Sequence, residues 1–189
     1  MDGSLLESAA DGLLLLGALR AAHSELMSGR ELESAAALRR RLRNPFLFSG
    51  YLWTQLPLAA LAGLRLDSLD DESCTVSLPG GFRTKNPFGT MYFAAQAMAA
   101  ELSTGVPALL LTRGSPHSIA FIVREVRGVF TKKIQGRGRF TFKDIPAMQA
   151  VVAATGEEGT TFVARSEGRD GEGNVASAFE ITWSFKKRP

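Results

Sequence analysis

The stretch Lys85-Asn-Pro-Phe-Gly-Thr-Met-Tyr-Phe-Ala-Ala-Gln-Ala-Met-Ala-Ala-Glu-Leu-Ser-Thr-Gly105 decides how the rest of the chain is read. From Pro87 to Ala100 it carries no charge, and then Glu101 appears. A helix without a polar face is buried in a core. A carboxylate inside that core is costly unless it is paired, neutralised or used. The spacing predicts one long apolar helix, ended by Gly105-Val-Pro107, with Glu101 as the residue to explain.

Working outward, the flanking segments change period. Upstream, Leu5 to Met27 and Glu31 to Leu42 are rich in Ala, Leu, Glu and Arg and read as helices, the second ending in the cationic run Arg39 to Arg43. Asn44 to Trp53 is aromatic and turn-prone, and is expected to pack under the core. From Leu61 alternation sets in. Gly63 to Leu69 and Cys74 to Leu78, joined by the acidic turn Asp70-Asp-Glu72, read as a hairpin. After the apolar helix come four strand-like runs: Ile119 to Phe130, Ile134 to Phe142, Thr160 to Glu167 and Val175 to Phe185. A turn at Gly168 to Asn174 joins the last two, and Gln135-Gly-Arg-Gly-Arg139 reads as a hairpin turn rather than a phosphate loop, since no helix follows it.

Helices, two strands, one apolar helix and four strands belong to the α+β class. Only an antiparallel sheet that curls around the helix covers its whole circumference. We expect about six strands, with residues 1–55 as a helical extension and 56–189 as the core of a single structural domain.

Composition narrows the function. With 189 residues, 45% hydrophobic and 22% charged, the chain is an ordinary globular length. A net charge of +3 is no nucleic-acid footprint. Basic residues cluster instead between Arg113 and Lys143. The apolar run Leu13 to Ala22 follows the acidic Asp2, Glu7 and Asp11 where a secretory leader would have basic residues, and Arg20 cuts it short of a membrane span. Cys74 is the only cysteine, expected in a buried strand, and the chain is read as cytoplasmic. His23 and His117 stand apart from other ligand-type residues, so no metal site is expected. No nucleophile elbow is present.

Asn86-x-x-Gly89-Thr90, followed fifteen residues after the asparagine by Glu101, resembles the central motif of hot-dog acyl-CoA thioesterases, Asn-x-x-Gly-Thr-x-His-Gly-Gly and then Asp or Glu. Asn86 to Tyr92 is most similar to a branch of that superfamily without an assigned substrate. The resemblance implies a hot-dog fold and hydrolysis of an acyl-CoA or related acyl thioester, with CoA as part of the substrate and no other cofactor. It assigns Glu101 as base or nucleophile and Asn86, with the Tyr92 and Phe93 amides, as donors to the thioester carbonyl. Gly89 and Thr90 fall with Tyr92 and Phe93 in the oxyanion and substrate-binding set, and Ser118 falls where some members place an assisting hydroxyl. Arg124, Arg127, Lys132, Lys133, Arg137 and Arg139 would form a rim for CoA phosphates. Where the family commonly has His-Gly, this chain has Tyr92-Phe93. That bulk admits a second reading, a non-catalytic acyl-CoA or fatty-acyl binder, and the missing His argues against a dehydratase.

Without the resemblance, Asn86 is a turn former before Pro87, Thr90 an N-cap, and Glu101 a buried acid neutralised by an arginine such as Arg124 or Arg127 in a structural dimer. The chemistry itself needs an oxyanion stabiliser, for which helix N-terminal amides are suited, and a desolvated base. From Met91 to Glu101 the helix rises by about 15 Å at ~1.5 Å per residue. One chain cannot bring both to one carbonyl, so a homodimer with two shared sites is expected, with further pairing into a tetramer left open.

Overall fold

The computed structural model describes residues 35–189. The helix expected over Leu5 to Met27, the start of the one from Glu31, and His23 lie outside the described residues. Helical backbone over 35–43 (α1) leads into α2 (Pro45–Gln55) and α3 (Pro57–Ala62). The hairpin β1 (Arg65–Leu69) and β2 (Cys74–Leu78) follows, then α4 (Phe93–Arg113). The remainder is β3 (Ile119–Phe130), β4 (Gly138–Phe142), α5 (Ile145–Ala153), β5 (Thr160–Arg169) and β6 (Val175–Lys187).

All six strands form one antiparallel sheet in the order β1-β2-β4-β5-β6-β3. Alternation along β6 turns Phe179, Ile181, Trp183 and Phe185 inward. With Val76, Leu78, Phe140 and Phe142 they meet the small residues Ala99, Ala100 and Ala108 of α4. Alanines let the helix lie close to a curled sheet, which is why α4 is long and apolar. By length and composition it would suffice to cross a membrane, yet most of it is buried in this core.

Four expectations are corrected. First, α4 does not stop at Gly105-Val-Pro107 but runs to Arg113. Pro107 forfeits one backbone hydrogen bond, but Val106, Pro107 and Ala108 are all buried, and that burial holds the helix on. Second, the aromatic run after Asn44 is a helix. The Asn44 side chain accepts from the amides of Phe46 (3.0 Å) and Leu47 (3.2 Å), Pro45 occupies the first turn, and Phe48 and Leu52 face the core. Third, Gln135 to Arg139 is no hairpin turn. β3 pairs with β6 at the sheet edge while β4 lies between β2 and β5, so this segment crosses between distant strands. Fourth, α5 fills a stretch that periodicity left unassigned, with Ile145, Met148 and Val152 buried. Cys74 is fully buried in β2.

Candidate active site

The loop before α4 is built by Asn86. Its Oδ1 accepts from the amides of Phe88 (3.0 Å) and Thr90 (3.1 Å), while its Nδ2 donates to Thr90 Oγ1 (3.0 Å). Gly89 closes the turn at φ 75°, a conformation that favours glycine, and donates to the Asn86 carbonyl (3.0 Å). Asn86, Gly89 and Thr90 therefore form one structural unit. Thr90 lies two residues ahead of the N-cap, which is Tyr92.

That unit fixes which amides are free. Met91 donates to the Ile134 carbonyl (2.9 Å) and Tyr92 to the Thr84 carbonyl (2.8 Å). The first bond within the helix runs from Gln96 to Tyr92 (3.1 Å). Among the described residues the amides of Phe93, Ala94 and Ala95 therefore have no acceptor, as expected for a first turn. Of the two amides assigned as donors, Tyr92 is committed elsewhere and Phe93 is available. The Phe93 ring packs edge-on against Tyr92 (4.8 Å) and Phe130 (6.3 Å), leaning towards the end of β3, and is 56% exposed.

Glu101 lies on a half-buried stripe of α4 with Ala94, Met98 and Gly105. Its Oε1 lies over Gly105, 3.1 Å from where a Cβ there would stand, and the Trp183 ring approaches the same point to 3.3 Å. Trp183 Nε1 donates to Thr104 Oγ1 (2.9 Å), which donates to the Glu101 carbonyl (2.9 Å). Among the described residues the carboxylate has neither a hydrogen-bond partner nor an ion pair; Arg124 and Arg127 are not beside it. Burial alone pushes its pKa above the ordinary carboxylate range. Glu101 is one of the residues lining a cavity of about 270 Å³ with Leu56, Leu58 and Met98. A neighbouring cavity of about 460 Å³ shares Leu58 and Met98 and reaches Tyr92, Arg83 and Lys85. Together they make an apolar groove between α3 and α4.

The residues of the expected phosphate rim are carried by two strands that are not neighbours and by the segment between them. Arg124 and Arg127 lie on β3, with Arg127 3.8 Å from Glu125, and Lys132 and Lys133 follow that strand. Arg137 donates to Ser77 (3.1 Å) and Arg139 faces Asp67 (3.5 Å), on β4 and its approach, with β5 and β6 intervening. Ser118 is exposed beyond the far end of α4, in a separate cavity with His117, Arg113 and Arg188. Sequence reasoning missed Gly105, Thr104 and Trp183 as the carboxylate's surroundings, and the groove cations Arg83 and Lys85. A glycine one helical turn after a buried acid was the available signal. Among the described residues no His, Cys, Asp or Glu cluster is arranged to hold a metal ion.

Solved structures with this fold include a Pseudomonas aeruginosa protein described as of unknown function and a probable thioesterase, 20% identical over 77% of this chain and 97% of that one, with a TM-score of 0.62. A Haemophilus influenzae thioesterase is 11% identical over 76% and 91%, at 0.59. A Staphylococcus aureus protein is 16% identical over 73% and 99%, at 0.54; it has been solved with a glutamate changed to alanine and, as a thioesterase, with a glutamine fifteen residues earlier changed to alanine. No curated protein matches. The sequence profile of a domain of unknown function, DUF4442, matches residues 44–185, so this hot-dog chain belongs to that family.

Proposed function

We propose that the protein hydrolyses an acyl thioester, with an acyl-CoA as the substrate class, at a site shared by two copies of the chain. The observation that carries this reading is Glu101: desolvated, without a partner among the described residues, and open to an apolar groove. In this mechanism Glu101 takes a proton from water as the water oxygen attacks the thioester carbonyl. First-turn amides from Phe93 onward stabilise the oxyanion. The carbon–sulfur bond then breaks, the thiolate leaves and is protonated, and a free acid remains. Asn86 acts by shaping the loop that aims those amides. The groove takes acyl carbons against Leu58, Leu61 and Met98, and Arg83 and Lys85 at its edge suit an anionic carrier.

Phe93 and Glu101 are eight residues apart on one helix, about 12 Å, so a second copy must complete the site. β3 supports a two-fold partner: it is a twelve-residue edge strand with Ile122, Val126, Val129 and Phe130 exposed, an edge that natural sheets cover. Further support is the Staphylococcus aureus pair of substituted positions, whose spacing equals that from Asn86 to Glu101.

A thiol-release assay across acyl-CoA lengths tests the reading. Glu101→Gln is expected to lose about 10²- to 10⁴-fold in turnover. Mixing Asn86→Ala with Glu101→Gln subunits, each inactive alone, is expected to restore about a quarter of wild-type activity, since half the dimers regain one of two sites. No recovery removes the shared site. The Phe93 ring at the helix start favours the second reading, an acyl binder without turnover. Thermal stabilisation by acyl-CoA without thiol release decides for that one.

A further inference from the structure

Residues 35–66 contain five arginines and no aspartate or glutamate. Arg39 is tied to Asp71 at 2.6 Å. Arg40, Arg41, Arg43 and Arg65 are exposed and form no ion pair among the described residues. Three of them end α1, directly before α2, whose eleven residues carry no charge. The Asn44 cap starts α2 so that Phe46 and Leu47 point outward while Phe48 and Leu52 anchor the opposite side. Phe46 is 88% exposed. Trp53, 55% exposed, follows seven residues later, two helical turns on and therefore on the same face.

From this arrangement we infer that the α1–α2 face docks on an anionic phospholipid surface. A tryptophan, a phenylalanine and a leucine on a charge-free helix face, with arginines at one end, is the chemistry of an interfacial helix: rings at headgroup level and guanidiniums on phosphates. A second copy fits less well. A two-fold contact would set this patch against itself and bring Arg40 and Arg41 of each copy together, while the described carboxylates nearby, Asp67, Asp70 and Asp71, lie beside Arg43 and Arg39. The apolar surface continues into α3, where exposed Leu56 and Leu58 line the cavity that reaches Glu101. Docking would thus bring the groove to the lipid, though the inference does not depend on hydrolysis.

The full chain is mixed with phosphatidylcholine vesicles lacking or containing phosphatidylglycerol, and binding is read by co-sedimentation and tryptophan emission. Trp183 is buried, so a blue shift reports Trp53. We expect binding only to the anionic vesicles, weakened by salt. Arg40→Gln/Arg41→Gln/Arg43→Gln is expected to lower affinity about a hundredfold, from about 1 kcal/mol per arginine near the surface. Phe46→Ser/Trp53→Ser is expected to abolish binding with the melting temperature unchanged; should it fail to fold, the arginine variant carries the test. Absence of binding to anionic vesicles at low salt overturns the inference. So does binding that survives the arginine substitutions, or substitutions that change only the sedimentation mass.

Discussion

Adding one methyl group at Gly105 tests how the carboxylate is held. A Cβ there would stand 3.1 Å from Glu101 Oε1 and 3.3 and 3.4 Å from the Trp183 ring, a few tenths of an ångström inside comfortable contact. The two neighbours are unequal. Trp183 is buried, packed against Phe121 at 5.5 Å, and bonded to Thr104, so it does not give way. The carboxylate ends a flexible side chain and moves instead. Gly105→Ala gains about 0.5–1 kcal/mol of helix propensity, and mild overpacking costs about 1 kcal/mol, so net stability stays within about 1 kcal/mol of wild type. Turnover is expected to fall about a hundredfold, the cost of misplacing a catalytic group by roughly 1 Å. Thermal melting and thiol release on the same preparation read both quantities. Unchanged melting with turnover within about threefold of wild type would refute the reasoning, because the base would then not need its seat over Gly105.

Further outcomes concern the titration of Glu101, the edge strand and Cys74. Burial raises the folded-state pKa of Glu101 above its unfolded value, so this group's contribution to stability is full below the unfolded carboxylate pKa and is lost as pH rises through the folded one. Glu101→Gln should therefore melt above wild type at neutral pH, with the gap closing in acid, as melting against pH will show. The same shift places the acidic limb of the wild-type pH–rate profile above the ordinary glutamate range. On the edge strand, Val126→Lys with Val129→Glu should leave a monomer by light scattering and remove thiol release together with the dimer. Finally, Cys74 is fully buried and its thiol is pushed well up by desolvation, so it should resist a disulfide reagent until the chain is unfolded.

The parts of this fold legible in the sequence were those written in local terms. Glu101 stood out because fifteen uncharged residues, Asn86 to Ala100, precede it, and the hairpins β1–β2 and β5–β6 because an acidic turn joins the first pair of alternating runs and a turn rich in Gly and Asp the second. Asn86, Gly89 and Thr90 were visible as a spacing, though their bonds to one another form only in the folded loop. What failed was non-local. No local pattern reveals that β3 leaves its sequence neighbour β4 for β6, which sets Arg124 and Arg127 on a different strand from Arg139 with two strands between. Pro107 misled because its local penalty is outweighed by burial against strands distant in sequence. Asn44-Pro45 could have been read as an N-cap with proline in the first turn, but the aromatic residues behind it drew the reading towards a turn.

The two walls of the groove are held very differently. The start of α4 is fastened by carbonyls from two separate segments, Thr84 and Ile134, and its middle by Trp183 through Thr104. α3 is six residues long, entered at Leu56 in a non-helical conformation and left at Gly63 with φ 85°. One wall is tied to the core at three points, and the other is a short helix bounded by two residues in non-helical conformation. In the proposed reading acyl carbons meet α3 through Leu58 and Leu61, so these positions, rather than any residue of the motif, are where a change of substrate preference is expected.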